Sequence, residues 1–166
     1  MMRNIASLAL VATLVTPGAT LAQQGWDGSF ASANLGLVLD PGDSATGSIG
    51  IGFDREFGRF VGGVELDVAR TDVIGNGTVI DNTYRAKLRA GVPVGNTLVY
   101  GLGGLAHATG DFGGETGYLL GIGAEHRLNG GPISLGGELI HHEFNDFNGG
   151  GDLRVQTLTA RVSYRF

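Results

Sequence analysis

Four histidines, His107, His126, His141 and His142, are the side chains best suited to acid–base or metal chemistry in this 166-residue chain. A metal centre needs several ligands converging at fixed geometry. His141 and His142 are sequence neighbours, so on a strand they point to opposite faces. The chain has no cysteine, which removes thiolate ligands and any disulfide framework. A hydrolase acting on lipid would need Ser, His and a carboxylate brought together. No serine shares the register of His141, and His126 is followed by Arg127-Leu128-Asn129. Gly101-x-Gly103-x-x-Ala106 imitates a dinucleotide fingerprint, but it lies in a strand pattern with no helix after it. Asp and Glu outnumber Lys and Arg by 16 to 11, and no basic stripe exists to engage nucleic acid. The residues therefore predict no catalytic group, no metal site and no cofactor.

What remains is an organised distribution of charge, and its meaning depends on the elements that carry it. Glycine contributes 31 residues, in no Gly-X-Y register and interleaved with Val, Leu, Ile and Tyr. That excludes collagen and argues against a disordered linker. Met1, Met2 and Arg3 precede an apolar run from Ile5 to Val15, a break at Thr16-Pro17-Gly18, and the small residues of Thr20-Leu21-Ala22. The run is too short for a membrane helix and has the layout of a secretory leader. We read residues 1–22 as a cleaved signal peptide and 23–166 as one exported domain.

The exported part alternates apolar and polar residues in segments separated by Gly, Asn, Asp and Pro. The pattern predicts strands over 27–39, 46–56, 59–69, 83–93, 97–108, 116–127, 132–143 and 154–166. Tight turns are expected at 55–58, 94–96 and 129–131, with longer polar loops around 40–46, 70–82, 109–115 and 144–153.

Each strand yields two sets of side chains. One set is apolar throughout, exemplified by Leu35, Ile51, Leu66, Leu88, Leu120, Leu139 and Val162, with Leu98, Tyr100 and Leu102 assigned to it on the fifth strand. The other set holds Asp54, Glu65, Asp67, Glu125 and Glu138 together with Arg85, Lys87, Arg89, Arg127, Arg161 and Arg165. Gly101 and Gly103 are placed in this second register. A soluble barrel would point the apolar set inward, whereas a membrane barrel points it at lipid and fills its interior with the charges. Apolar register over about nine or more residues, and Tyr and Phe toward the strand ends, favour lipid. The expected fold is all-β: an eight-stranded antiparallel up-and-down transmembrane barrel. Its interior is only wide enough for its own side chains, so the five acids and six bases are expected to form a salt-bridged plug rather than a conducting path.

Arg161-Val162-Ser163-Tyr164-Arg165-Phe166 resembles the terminal strand of Gram-negative outer-membrane barrels. Trp26-Asp27-Gly28, Tyr100-Gly101-Leu102-Gly103-Gly104-Leu105-Ala106, Gly121-Ile122-Gly123-Ala124-Glu125 and Glu138 follow in the order seen in small porin-family barrels of the OmpA and OmpX group. The resemblance runs from Trp26 to Phe166 and implies residence in the bacterial outer membrane. It also implies contact with outer-membrane lipid and lipopolysaccharide, and reading of Tyr164 and Phe166 by the assembly machinery during biogenesis. The group often carries aromatic residues where this chain has Ser29 and His126, which thins the lipid belt. The lipid A deacylases share such a fold but carry a His-x-Ser-Asn motif, absent here. Asp40, Asp43, Asp72, Asp81, Asp111, Glu115, Glu143, Asp146 and Asp152, against Arg70 and Arg154, give the expected loops a strongly acidic character. The sequence thus points to a non-enzymatic barrel serving envelope integrity or surface interaction through acidic loops, with a narrow channel and a lipid A hydrolase as alternatives.

Overall fold

The structure is a computed structural model that describes residues 25–40, 44–75, 78–110, 113–145 and 151–166. The segment read as a signal peptide lies outside the described residues. Eight strands form one closed antiparallel barrel in chain order. They are β1 (Gly28–Asp40), β2 (Ser44–Phe57), β3 (Phe60–Gly75), β4 (Thr78–Val94), β5 (Thr97–Gly110), β6 (Gly113–Arg127), β7 (Ile133–Phe144) and β8 (Leu153–Arg165). Closure comes from β1 against β8, where Phe30 faces Arg165 and Leu37 faces Leu158. With no free edge, every strand finds ladder partners on both sides, which a strand in lipid requires.

The barrel has a turn side and a loop side. On the turn side, Gly58 and Gly95 open two-residue hairpin turns with φ of 65° and 61°, the conformation glycine supplies at that position. A short 3-10 turn at Leu128–Gly130 joins β6 to β7. Both chain ends of the barrel also lie here, since Gly28 pairs with Asp54 and Phe166 N–H donates to the Ser29 carbonyl at 3.0 Å.

Most of the long loops expected on the other side are strand instead. β3 runs to Gly75 and β4 starts at Thr78, so most of 70–82 is ladder; β5 reaches Gly110 and β6 starts at Gly113. Asp40, Asp72, Asp81 and Glu115 therefore sit on strand extensions and Glu143 lies within β7, whereas Asp43, Asp111 and Asp146 lie outside the described residues. The reason is compositional: Thr71, Val73, Ile74, Thr78, Val79 and Ile80 are strand formers, and interruption by polar residues marks entry into water rather than the end of pairing. β7 ends at Phe144 and β8 starts at Leu153, and of the loop expected around 144–153 residues 146–150 lie outside the described residues.

The barrel is inside out relative to a soluble protein. Leu35, Leu88 and Ile122 are 75%, 65% and 65% exposed, while Asp54 and Glu125 are fully buried. An apolar surface of that extent needs a hydrocarbon solvent. Aromatic residues bound it at both rims: Phe53, Phe57, Phe60, Tyr164 and Phe166 on the turn side, Tyr84 and Tyr118 toward the loop side.

Strand β5 departs from the expected facing. Leu98, Tyr100 and Leu102 are buried in the lumen, and Val99, Gly101, Gly103 and Leu105 occupy the outward register. Neither face of the Thr97–Gly110 segment carries an acid, a lysine or an arginine, so alternation alone leaves its phase open. The ladders to β4 and β6 decide it, pairing Arg89 with Leu102 and Gly123 with Tyr100. A Cβ on Gly91 or Gly123 would collide with Tyr100, so the absence of side chains there makes room for the inward ring.

Candidate functional site

The lumen contains a continuous ionic network built from cross-strand register. On β3 and β4, Glu65 stands opposite Lys87 and Asp67 opposite Arg85. Arg85 Nε bonds Asp67 Oδ1 at 2.5 Å; Lys87 Nζ lies 2.8 Å from Asp67, 3.4 Å from Glu65 and 3.4 Å from Glu138. Arg89 faces Gly63 across the ladder and reaches past it to Asp54 on β2. Asp54 Oδ1 occupies the space a Gly63 side chain would fill, so that glycine permits a pairing two strands away.

Arg161 of β8 is the hub. It contacts Glu65 at 2.9 and 3.1 Å, Glu138 at 3.2 Å and Glu125 at 3.4 Å, with its side chain wholly shielded. Arg165 bonds Asp54 at 2.7 Å, so one carboxylate serves both Arg89 and Arg165. Hydroxyl groups complete the coordination. Ser32 donates to Glu65 at 2.9 Å, Tyr100 donates to Glu138 at 2.7 Å, and Ser134 donates to Glu125. Buried charge is tolerable only when paired and hydrogen-bonded in this way.

Ten of the eleven residues expected in the interior network take part in these ion pairs. Arg127 differs: it lies at the turn-side mouth and donates to the carbonyls of Gly25, Gly130 and Gly131 at 2.6, 3.1 and 3.0 Å. Its strand ends there, where carbonyl groups of the turn and of the segment before β1 are unpaired by ladder bonds.

The network also includes residues that charge alternation does not mark. Phe30 is buried at the centre of three guanidinium groups, with Arg89, Arg165 and Arg161 at 4.2, 5.3 and 5.4 Å from its ring. Its register with Ser32 and Asn34 is the signal that assigns it inward. Trp26 closes the turn-side mouth beneath Arg127 and Arg165, at 5.9 and 5.3 Å, and its backbone is fixed by Glu56 and Arg165. Tyr100 has no such signal.

The histidines are dispersed. His107 bonds Thr116 and His126 bonds Thr97, each at 2.9 Å on the outer face; His141 lies outward, 3.7 Å from Glu143. His142 points into the loop-side lumen. Among the described residues no group of three or more acids and histidines is placed to hold a metal ion.

Three comparisons bear on the chain. Residues 6–166 match the outer membrane protein beta-barrel domain family. No curated protein matches the sequence at a significant level. Among solved structures, the crystal structure of Neisserial surface protein A (NspA) superposes with a TM-score of 0.56 at 14% identity, covering 83% of this chain and 96% of that one. OmpT, an outer membrane protein of Vibrio cholerae, gives a TM-score of 0.35 at 15% identity, covering 75% of this chain and 42% of that one.

Proposed function

The chain belongs to the outer membrane protein beta-barrel domain family, and from that premise we propose that it is a non-enzymatic integral barrel that supports envelope integrity or surface interaction. In this reading the leader directs export, the assembly machinery inserts the barrel with its turn side toward the periplasm, and the acid-bearing loop-side end meets lipopolysaccharide or a surface ligand. The observation that carries it is the Arg161-centred network. Carboxylate, hydroxyl and guanidinium groups from β1, β3, β6, β7 and β8 meet across a lumen only wide enough for its own side chains. Such a filled cross-section supports a structural module and disfavours solute passage.

The reading is tested in planar bilayers. The purified protein is expected to insert without stable conductance steps. Reproducible single-channel steps from wild-type protein would replace this reading with a narrow transport channel. A change in lipid A mass on expression in cells would instead argue for a hydrolase.

A further inference from the structure

Above the ionic network, on the loop side, the lumen holds a second polar centre. A cavity of about 30 Å³ is lined there by Thr46, Thr83, Arg85, His142 and Thr157, with Phe144 in its apolar wall. His142 and Thr157 are each 4% exposed, and neither His142 Nδ1 nor the Thr157 hydroxyl has a hydrogen-bond partner among the described residues. Buried polar atoms in that condition are destabilising unless something meets them. The volume suits about one or two waters or a single monatomic ion.

The sign of the lining charge distinguishes the occupants. Arg85 lines the cavity, and among the described residues no Asp or Glu does. The carboxylate paired with Arg85, Asp67, is also held by Lys87 at 2.8 Å. Arg85 bonds Asp67 through Nε, and its terminal nitrogens carry further N–H donors. Threonine hydroxyls donate as readily as they accept, and a histidine nitrogen donates in one tautomer. A cation would meet a guanidinium whose carboxylate, Asp67, is already shared with Lys87. From this geometry we propose that the loop-side chamber binds one small monovalent anion of halide size, held by Arg85 and Thr157 and bordered by His142. The bound anion ties β4 and β8 together above the plug, at the level where these strands leave the apolar belt.

The test uses the purified barrel in detergent with sodium chloride, sodium bromide or sodium gluconate at matched ionic strength. The midpoint for heat-dependent loss of the folded gel band is expected to rise saturably with either halide and to stay flat with gluconate. Thr157→Val is expected to raise the half-saturating halide concentration about tenfold, the effect of losing one hydrogen bond to a charged group. Equal midpoints in all three salts would overturn the proposal, as would a halide response unchanged in both Thr157→Val and His142→Phe. Should those variants fail to fold, bromide anomalous scattering from wild-type crystals decides. A peak within hydrogen-bond distance of Thr157 and Arg85 supports the site, and its absence there overturns it.

Discussion

Glu65 illustrates how each interior carboxylate is shared. It receives Arg161 through both oxygens, Lys87 at 3.4 Å and the Ser32 hydroxyl. Removing it leaves two buried cations short of a partner, a change that costs about 3–5 kcal/mol in comparable buried pairs. Glu65→Ala is therefore expected to lower the urea midpoint of the refolded barrel, and adding Lys87→Met should recover part of the loss. Full additivity of the two changes would show that they do not act as a pair. Phe166 works at a different place. It lies at the turn-side rim, edge-on to Tyr164 at 5.2 Å, with its N–H on Ser29. If it acts chiefly as an assembly signal, deleting it lowers the assembled barrel in cells far more than it lowers stability after refolding in detergent. A matched, modest fall in both measurements would leave it only a rim residue.

Strands translate these side chains into faces, and two tests read the facing directly. Leu120 of β6 is 59% exposed within the apolar band. Leu120→Arg is expected to cost ~2–4 kcal/mol near the bilayer midplane, measured by denaturant titration in vesicles. Strand β5 is the sharper case because both of its faces are apolar. The chain has no native cysteine, so single cysteines can be introduced and labelled with a fluorophore. Labels at Val99 and Leu105 should be quenched by quenchers attached to lipid tails, and cysteines at Leu98 and Leu102 should resist labelling. The opposite pattern would restore the outward assignment of Tyr100 and its neighbours.

For the whole molecule, closure is the property that matters. Each strand is bonded to two neighbours, and the ends meet through β1 and β8. A closed ladder cannot fray from an edge, so the folded form should persist in SDS until heated and migrate differently from the boiled sample. Identical mobility before and after boiling would contradict a closed barrel. Both mouths are narrowed by the chain itself: Trp26 on the turn side, and Phe144 with His142, stacked at 6.5 Å, on the loop side. These contacts give the interior network its shelter from water and strengthen its electrostatics.

Alternation was enough to predict eight strands, their antiparallel order and the inward position of all five acids. A charged residue every second position makes only one facing affordable in lipid, and a one-residue slip would put Glu65 or Arg85 into hydrocarbon. The same logic was silent where that penalty vanishes. On β5 a slip exchanges one apolar face for another, so only the ladders to Arg89 and Gly123 and the space beside Gly91 set the facing of Tyr100. Strand ends were equally underdetermined, because the acids of 70–82 can be solvated on a ladder or on a loop. Adjacent-strand register accounts for Asp67 with Arg85 and Glu65 with Lys87, and the longer pairings were decided by tertiary structure. Arg89 passes its cross-strand neighbour Gly63 to reach Asp54, and Arg161 gathers Glu65, Glu125 and Glu138 from three other strands. Those distances exist only once the sheet has curved closed, because curvature brings strands that are distant in the ladder to face each other across the lumen.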